Sequence, residues 1–469
     1  MLTYDFENVD IPLYEHIYRC IKNDIIAGNL KQGERLPSKR SFAENNGIST
    51  ITIQNAYDQL MSEGYIYAVQ RKGYYVSEFS DFSGGSFENE FSRDIKIPSD
   101  DEKIEIDLSG NRINPKNFPF SIWARLMRAT IAEKNSELMI PSPTGGIREL
   151  REAISLHLKS FRGMSVDPNQ IVVGAGTEYL YTLIIQLLGN DKIYCLEDPG
   201  YKKIAQVYMQ NNVEIRFSEM DENGITVEGL ESSGAHIAHI SSTHHFPTGV
   251  TMPISRRYEV LGWANKAKGR YIIEDDYDSE FRPSGKPIPP IQSIDAAEKV
   301  IYMNTFSKSL ASTIRISYMV MPVHIANLFY EKLSFYSCTV SNFEQYTLAE
   351  FIKKNYFEKH INRMRRYYAG QRRKVLDCIY GSKLNKLCEI IENDSGLHFL
   401  MKLDTKLSDE DFIKFLRKKG IVMNALSGYF SSHKNKSEHI FLLNYSNVDI
   451  SKLSKALDIL YEAAVCRYV

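Results

Sequence analysis

Hydrophobic periodicity stops between residues 79 and 103, and the patterns on the two sides of that stretch differ. The stretch contains Asp81-Phe-Ser-Gly-Gly-Ser86 and Ser99-Asp-Asp-Glu-Lys103, which are rich in Gly, Ser and charged residues and are typical of a flexible linker. A chain of 469 residues also exceeds the size of one ordinary hydrophobic core. We therefore predict a small domain over residues 12–78, a flexible linker over 79–103 and a second domain over 104–469.

Residues 12–78 carry three helical patterns followed by two short alternating strands. Apolar residues recur at helical spacing from Leu13 to Ile25, and Ser38 and Ser49 are good N-caps for a second and a third helix. Arg71-Lys72-Gly73 forms a tight turn between the strand-like runs 65–70 and 74–77. Three helices and a β-hairpin in this order predict a winged helix-turn-helix.

A winged helix-turn-helix places the second helix of its motif in the major groove of DNA, where the N-terminal residues of that helix read base edges. The predicted DNA contacts are Ser38, Lys39, Arg40, Ser49, Thr50, Thr52, Gln54, Arg71, Lys72 and Gly73. Residues 1–78 hold eight Lys and Arg against ten Asp and Glu, so DNA binding requires the basic groups to cluster on one face. A protein-docking module is the alternative.

From residue 104 onward, strand-like runs alternate with amphipathic helical sequence. The first such runs are 170–174, 192–196, 236–241, 271–274 and 299–304. This alternation predicts a mostly parallel α/β sheet in a large part of about 120–340. The chain then becomes helical and basic, and strand-like runs return at 397–402 and 439–445, which predicts a smaller α+β subdomain over about 341–469.

The segment 304–315 places Lys308 among small hydroxylated residues, with Arg315 two helical turns later. Upstream, an apolar run ends in acids at Glu274-Asp275-Asp276. This combination suits pyridoxal 5'-phosphate (PLP), because a lysine amine forms the Schiff base and an acid keeps the pyridine nitrogen protonated. We assign these roles to Lys308 and Asp275, and we assign the phosphate to Arg315 and the neighbouring hydroxyl groups.

Segments of both domains resemble known families. Ile25-Ile-Ala-Gly-Asn-Leu-Lys-Gln-Gly-Glu-Arg-Leu-Pro-Ser-Lys-Arg40 and Thr52-Ile-Gln-Asn-Ala-Tyr-Asp-Gln-Leu60 resemble the GntR family, and residues 104–469 resemble fold-type I aminotransferases. Glu274-Asp-Asp-Tyr-Asp-Ser-Glu-Phe281 and Thr305-Phe-Ser-Lys-Ser-Leu310 are close to the MocR/GabR family of transcriptional regulators, which the whole chain resembles.

The resemblance implies a role for each matching residue of the PLP site. It makes Lys308 the lysine of the internal aldimine and Asp275 the partner of the pyridine nitrogen. Tyr277 donates to the ring O3' atom, and Tyr201 stacks on the ring. It also implies that the backbone amides of the turn Gly176-Thr177-Glu178 meet the phosphate and that Thr305 and Arg315 supply the other phosphate contacts.

Three positions depart from working aminotransferases. Phe246 stands where an Asn donates to O3', Lys203 stands where a GABA-sensing relative has Arg, and Leu442 stands where an Arg grips the substrate α-carboxylate. Leucine cannot form the bidentate contact that Arg makes with a carboxylate. We therefore expect no sustained transamination, with a half-transamination left open, and we take Lys203 and His245 as candidate effector contacts.

The combined interpretation is a PLP-dependent transcriptional regulator that is not an enzyme and whose effector is PLP itself, as in relatives that control vitamin B6 synthesis. Two alternatives stay open. One is a regulator that senses an amine, amino acid or dipeptide as an external aldimine with PLP, and the other is an active aminotransferase. The resemblance further implies a head-to-tail, domain-swapped homodimer on double-stranded operator DNA with paired half-sites.

The composition of the whole chain bears on its overall charge, cellular compartment, membrane association and metal binding. A net charge of −1 excludes a basic field over the whole chain, and six scattered Cys favour free thiols in a reducing compartment. The polar, acidic N-terminus is unlike a signal peptide, and no apolar run reaches membrane-spanning length, so we expect a cytoplasmic protein without a membrane partner. No acid or Cys completes a site around His236, His239, His244 and His245, so we expect no metal.

Overall fold

The computed structural model describes residue 4 and residues 11–78, 104–110, 114–281, 288–391, 396–431 and 438–466. These residues belong to two compact units, and the division between them falls between Asp100 and Asp101. The predicted flexible linker, residues 79–103, lies outside the described residues, so its flexibility stays a prediction.

The described part of the first unit consists of three helices and a two-stranded hairpin. They are α1 (Leu13–Ile26), α2 (Lys39–Asn46), α3 (Thr50–Ser62), β1 (Ile66–Val69) and β2 (Gly73–Val76). The Oγ atoms of Ser38 and Ser49 accept the backbone N–H groups of Ser41 and Thr52 at 3.1 Å, so both serines cap helices as predicted. The buried helix faces share one apolar core around Ile53. This arrangement is the predicted winged helix-turn-helix.

The turn of the hairpin lies one residue earlier than predicted. Gly73 is the first residue of β2 and pairs with Val69, so the turn is Gln70-Arg71-Lys72. Arg71 adopts the left-handed conformation that closes this loop, with a φ of 64°. A side chain at Gly73 would meet Arg35 Nε at 3.3 Å, so this position brings Arg35 close to the hairpin.

The described strands of the second unit form one large sheet and two smaller ones. They are β3 (Ile106–Asp107), β4 (Ile171–Gly174), β5 (Ile193–Asp198), β6 (Glu214–Asp221), β7 (Gly224–Ile225), β8 (Ile237–Ile240), β9 (Tyr271–Asp275), β10 (Val300–Thr305), β11 (Ser317–Val320), β12 (Cys388–Ile391), β13 (His398–Leu403), β14 (Ile421–Val422), β15 (Asn424–Ala425) and β16 (Ile440–Asn444). The large sheet has eight strands in the order β4-β11-β10-β9-β8-β5-β6-β7. The five adjacent strands β10, β9, β8, β5 and β6 run parallel to one another, as predicted. Strand β11 is antiparallel to both β10 and β4, and β7 is antiparallel to β6.

Helices connect and cover these strands. They are α4 (Phe120–Glu133), α5 (Asn135–Leu138), α6 (Arg148–Arg162), α7 (Thr177–Leu188), α8 (Lys202–Gln210), α9 (Val227–Ser233), α10 (Ile254–Asn265), α11 (Ile291–Ile294), α12 (Phe306–Ser309), α13 (Val323–Leu333), α14 (Asn342–Lys353), α15 (Tyr356–Tyr380), α16 (Asp409–Lys418) and α17 (Ile450–Val465). Strands such as β9 are almost continuously buried, which is typical of a parallel sheet whose two faces are covered. In the part of the chain that the structure describes, no helix combines the length and apolarity needed to span a bilayer.

A four-stranded antiparallel sheet lies in the C-terminal part, in the order β12-β13-β16-β15. Beside it, β14 pairs in parallel with β3, so that Ile421 lies opposite Ile106. The first strand of the unit is thus joined to its last part. The predicted subdomain begins at about residue 341 and so does not include β3. Local sequence patterns do not indicate that strands near the two ends of a domain pair with each other.

The carboxyl ends of β4, β5, β8, β9 and β10 lie at one edge of the large sheet. Gly176 follows β4, Tyr201 follows β5, Asp275 ends β9 and Lys308 follows β10. Ligands of open α/β sheets bind outside the carboxyl ends of the strands. The topology therefore gathers residues from four distant segments at the edge where a ligand is expected.

Candidate functional site

A cavity of about 490 Å³ opens at this edge of the large sheet. Its volume lies in the range of small-molecule sites. The predicted residues that line it are Thr177, Glu178, Tyr201, Lys203, His245, Asp275, Tyr277, Thr305, Lys308 and Arg315. Gly176 lies directly against the Arg315 side chain. The structure therefore brings all of the predicted cofactor and effector residues together around one cavity.

Lys308 is half-buried in the short helix α12, immediately after β10. Burial lowers the pKa of its ammonium group to about 8, although the Asp278 carboxylate opposes this change. A lysine with such a pKa is partly neutral near physiological pH, and the neutral amine is the nucleophilic form. The surroundings of Lys308 therefore suit covalent attachment of a carbonyl compound at Nζ.

Asp275 ends β9 with one carboxylate oxygen engaged and the other free of hydrogen bonds. The Tyr181 hydroxyl donates to Oδ2 at 2.6 Å, and His239 Nε2 lies 3.6 Å from the same atom. Oδ1 is buried and has no hydrogen-bond partner. Sequence reasoning missed Tyr181 and His239. Tyr181 lies four residues after Thr177 on α7, and β8 is the parallel neighbour of β9, so helical spacing and strand adjacency could have indicated both.

The amino end of α7 forms a cationic corner of the cavity around Glu178. Arg315 Nη2 lies 2.6 Å from Glu178 Oε2, and Lys203 Nζ donates to Glu178 Oε1. Partial burial opposes ionisation of Glu178, but the hydrogen bonds from Lys203 and Arg315 outweigh it and lower the pKa of this carboxyl to about 2. A Cβ atom at Gly176 would lie 2.2 Å from Arg315 Nη2, so only glycine allows this close approach.

Two tyrosines and a threonine complete the predicted cofactor set. The Tyr277 hydroxyl lies 3.2 Å from His244 Nδ1, and burial raises the pKa of this phenol far above its usual range, so it remains a hydrogen-bond donor. Tyr201 is 48% exposed and lines the cavity, and its ring stands perpendicular to the ring of Phe246 with the centroids 5.7 Å apart. Thr305 caps α12, and its Oγ1 accepts the backbone N–H of Ser307 at 3.1 Å.

Leu442 lies in an apolar wall of the cavity. It is 3% exposed, pairs with Leu400 across the small sheet and packs with Leu426, Phe246 and Tyr429. The Leu442 side chain offers a carboxylate neither a charge nor a hydrogen-bond donor, and the lining residues next to it on β15 and β16 are the neutral amides Asn424 and Asn444. Leu442 therefore cannot replace an arginine as the partner of a carboxylate.

His245 and Glu197 form a buried pair in the floor of the cavity. His245 Nδ1 lies 2.7 Å from Thr248 Oγ1, and its Nε2 lies 3.5 Å from Glu197 Oε2. Burial lowers the pKa of His245 to about 3 and raises the pKa of Glu197 to about 8, so both groups are mostly neutral near pH 7. Both nitrogens of His245 face protein oxygens, so its role as an effector contact stays a prediction. Sequence reasoning missed Glu197.

A buried ion pair supports the strand that carries Asp275. Arg162 Nη2 lies 2.7 Å from Asp276 Oδ2, and both side chains are almost fully buried. The Tyr302 hydroxyl donates to the same carboxylate at 2.6 Å. Breaking a buried pair of this kind leaves an uncompensated charge, so Arg162 is needed to hold the chain after β9.

The predicted DNA contacts of the first unit lie at the start of α2, at the start of α3 and in the hairpin. The exposed residues among them are Ser38, Arg40, Ser49, Thr50, Gln54, Arg71 and Lys72, while Lys39, Thr52 and Gly73 are partly buried. Lys39 Nζ lies 3.7 Å from Asp58 Oδ1, and Arg40 Nε lies 2.9 Å from Glu44 Oε1, so both cations are already paired. Sequence reasoning missed Ile51, which is 73% exposed in the first turn of α3 and suits contact with a thymine methyl group.

Among the described residues, no group of three or more His, Cys, Asp or Glu side chains is placed to hold a metal ion. The histidines of the predicted cluster have other partners. His239 Nδ1 lies 2.7 Å from the Tyr208 hydroxyl, and His244 Nδ1 lies 2.8 Å from Asp278 Oδ2.

Comparison with known families accounts for both units. Residues 13–76 match the family described as bacterial regulatory proteins, gntR family. Residues 104–458 match the family described as aminotransferase class I and II. The predicted order of a GntR-like winged helix-turn-helix followed by a fold-type I aminotransferase-like domain is therefore confirmed.

Individual proteins are similar to this chain over most of their length. The uncharacterized HTH-type transcriptional regulator YdeL of Bacillus subtilis is 34% identical over 96% of each chain. The HTH-type pyridoxine biosynthesis transcriptional regulator PdxR of Corynebacterium glutamicum is 27% identical over 90% of each chain. Among solved structures, kynurenine aminotransferase of Pyrococcus horikoshii, in complex with PMP, is 26% identical with a TM-score of 0.68 over 77% of this chain and 91% of that one.

Proposed function

The chain belongs to the MocR-type transcriptional regulators, and from this premise we propose that it binds operator DNA in a manner controlled by PLP held at Lys308. The observation that carries the proposal is the contrast within one cavity. The groups suited to PLP surround Lys308, whereas Leu442, which belongs to an apolar cluster and lines the same cavity, stands where the resemblance to aminotransferases implies an arginine for the amino acid carboxylate.

The donor set of the cavity fits PLP. PLP supplies an aldehyde that reacts with a lysine amine, a ring nitrogen and a phosphate group. Asp275 Oδ1 is a buried acceptor without a partner, which suits a protonated ring nitrogen, and Tyr277 is a donor suited to the ring O3' atom. Gly176 and Arg315 suit the phosphate, because the amino end of a helix and a guanidinium both favour anions.

We propose that these residues bind PLP without sustaining turnover. Lys308 attaches the ligand, Tyr181 holds Asp275 in place through a 2.6 Å hydrogen bond, and Tyr201 covers one face of the ring. Orientation of an amino acid substrate requires a cation at its carboxylate, and Leu442 cannot provide one. The site therefore reports that PLP is bound and does not turn over amino acids.

We further propose a cytoplasmic homodimer with a head-to-tail, domain-swapped arrangement. Two GntR-like heads on one two-fold axis then bind two half-sites of double-stranded operator DNA. PLP changes operator affinity only to the extent that it binds two arrangements of the dimer with different free energies. The similarity to a regulator named for pyridoxine biosynthesis supports PLP as the effector.

The test titrates PLP into full-length apo-protein bound to DNA fragments that the protein itself selected from a random pool. We expect PLP to change the DNA dissociation constant by about 5- to 150-fold, the usual range of allosteric coupling. Lys308→Ala should abolish this change, whereas Lys192→Ala, which removes a surface lysine paired with Asp191, should preserve it. Equal DNA affinity with and without PLP would refute PLP as the effector, and steady turnover with an amino donor and a 2-oxo acid would refute the absence of enzyme activity.

A second candidate function is a regulator whose ligand is an apolar amine that joins PLP at Lys308. The apolar lining residues Leu442, Phe246 and Phe430 favour this candidate, because they can bury a hydrocarbon group and carry no charge. Absorbance titrations of the PLP-loaded protein should then respond to phenethylamine and not to phenylalanine, which differ by a carboxylate. Equal responses to both compounds would exclude selection by these residues.

A further inference from the structure

The cationic corner of the cavity already contains an anion that belongs to the chain. The corner consists of Arg315, Lys203 and the amino end of α7. The carboxylate of Glu178 lies among all three. It accepts hydrogen bonds from Arg315 Nη2 at 2.6 Å and from Lys203 Nζ, and the backbone N–H of Glu178 also stabilises its charged form. The carboxylate therefore uses donors of the kind that a phosphate ester requires at a helix amino terminus.

The Glu178 carboxylate lies against the turn at which the phosphate is expected. An added Cβ atom on Gly176 would lie 2.2 Å from Arg315 Nη2 and 2.9 Å from Glu178 Oε2. The ion pair thus lies directly on the backbone of the turn between β4 and α7. Any phosphate that contacts this turn has to share Arg315 with Glu178 or displace the carboxylate from it.

We propose that Glu178 is an internal competitor for the phosphate group of PLP and so keeps PLP binding reversible. The proposal rests on the proposed function, because a PLP-responsive regulator must be able to release its effector. A dianionic phosphate and a carboxylate repel each other, and the cost is greater where both are partly shielded from water. Glu178 is only 28% exposed, so solvent does not fully screen this repulsion.

The competing explanation is that Glu178 positions Arg315 for the phosphate. The two roles predict opposite signs. A competitor weakens PLP binding, so its removal strengthens binding, whereas a positioning residue strengthens PLP binding, so its removal weakens it. Glu178→Gln separates them because glutamine keeps the shape and one oxygen acceptor of the side chain while it removes the negative charge.

The experiment compares PLP with pyridoxal, which lacks the phosphate. Dissociation constants of full-length wild type and Glu178→Gln are measured for both compounds from the absorbance of the bound ring. We expect Glu178→Gln to bind PLP on the order of tenfold more tightly and to bind pyridoxal as the wild type does. Glu152→Gln is the matched control, since it removes an exposed carboxylate that is paired with Arg148 at 2.7 Å on α6.

Inorganic phosphate provides a second readout that does not depend on Lys308. It should raise the thermal unfolding temperature of Glu178→Gln more than that of the wild type. An unchanged or weaker PLP affinity, or an equal gain for PLP and pyridoxal, would overturn the proposal. If Glu178→Gln binds PLP more tightly but PLP leaves DNA affinity unchanged, the competitor role stands and the proposed function fails.

Discussion

Gly176→Ala tests whether the close approach of Arg315 to the turn after β4 determines phosphate binding. Gly176 has a φ of 98° and a ψ of 162°, a backbone region that is essentially restricted to glycine. An alanine Cβ would lie 2.2 Å from Arg315 Nη2, so the guanidinium must move or the turn must change conformation. Both responses separate Arg315 from the amino end of α7.

The structure sets the size of the effect. The backbone strain costs about 1–3 kcal/mol, and the loss of the partly exposed Arg315–Glu178 pair costs about 0–1 kcal/mol. The free energy of unfolding of the second unit should therefore fall by about 2 kcal/mol. Loss of one charge-assisted hydrogen bond to phosphate, about 1.5–3 kcal/mol, should weaken PLP binding by roughly 10- to 150-fold.

Trp123 and Trp263 are the two tryptophans of the chain and both belong to the second unit, so their fluorescence during urea unfolding reports on that unit. PLP affinity is measured from the absorbance of the bound ring. The matched control is Gly262→Ala, at an exposed position of α10 where an added Cβ meets no neighbour. It should stabilise the unit by about 0.5–1 kcal/mol and leave PLP affinity unchanged. If Gly176→Ala unfolds with the same free energy as the wild type and binds PLP as tightly, the close approach of Arg315 to this turn does not determine phosphate binding.

Three further predictions follow from the geometry. Arg162→Met should destabilise the second unit by about 3–5 kcal/mol in the same urea assay, because it leaves the buried Asp276 carboxylate without its 2.7 Å partner, and a second change, Asp276→Asn, should recover part of the loss. Glu197 has a pKa raised from 4.5 to about 8, so its contribution to stability is complete below pH 4.5 and is lost as the pH rises through 8. Glu197→Gln should therefore lose less stability than the wild type between pH 5 and pH 9, and an equal loss would contradict this assignment. Lys72→Ala should lower the slope of log DNA affinity against log salt by about 1, whereas Arg19→Ala, which removes a cation paired with Glu15 on α1, should leave the slope unchanged.

Local features of the chain were predictable from the sequence. Ser38 and Ser49 cap their helices, and the buried run that ends at Asp275 is a strand, because capping and periodicity depend on residues within one or two turns of each other. The hairpin turn was misplaced by one residue. The left-handed conformation of Arg71 and the pairing of Val69 with Gly73 are set by the register of two strands, which the turn residues alone do not define.

The candidate site was predictable in its members but not in its contacts. The order and spacing of Asp275, Lys308 and Arg315 indicated a PLP site, and the cavity contains all three. The Tyr181 hydrogen bond to Asp275 joins residues that are 94 positions apart, and the Arg315 ion pair with Glu178 joins residues that are 137 positions apart. Contacts between residues so far apart in the sequence depend on the order of strands in the sheet.

The sequence by itself therefore determined the order of the two domains, the capped helices and strands, and the identity of the lysine, aspartate and arginine suited to PLP. Its resemblance to aminotransferases also predicted that Leu442 stands at the place of a carboxylate-binding arginine. Only the tertiary structure decided that Leu442 belongs to an apolar cluster beside the same cavity and that the carboxylate of Glu178 lies in the cationic corner. The physical reason is that hydrophobic periodicity is local, whereas the charge and polarity of a cavity depend on which distant side chains the sheet brings together.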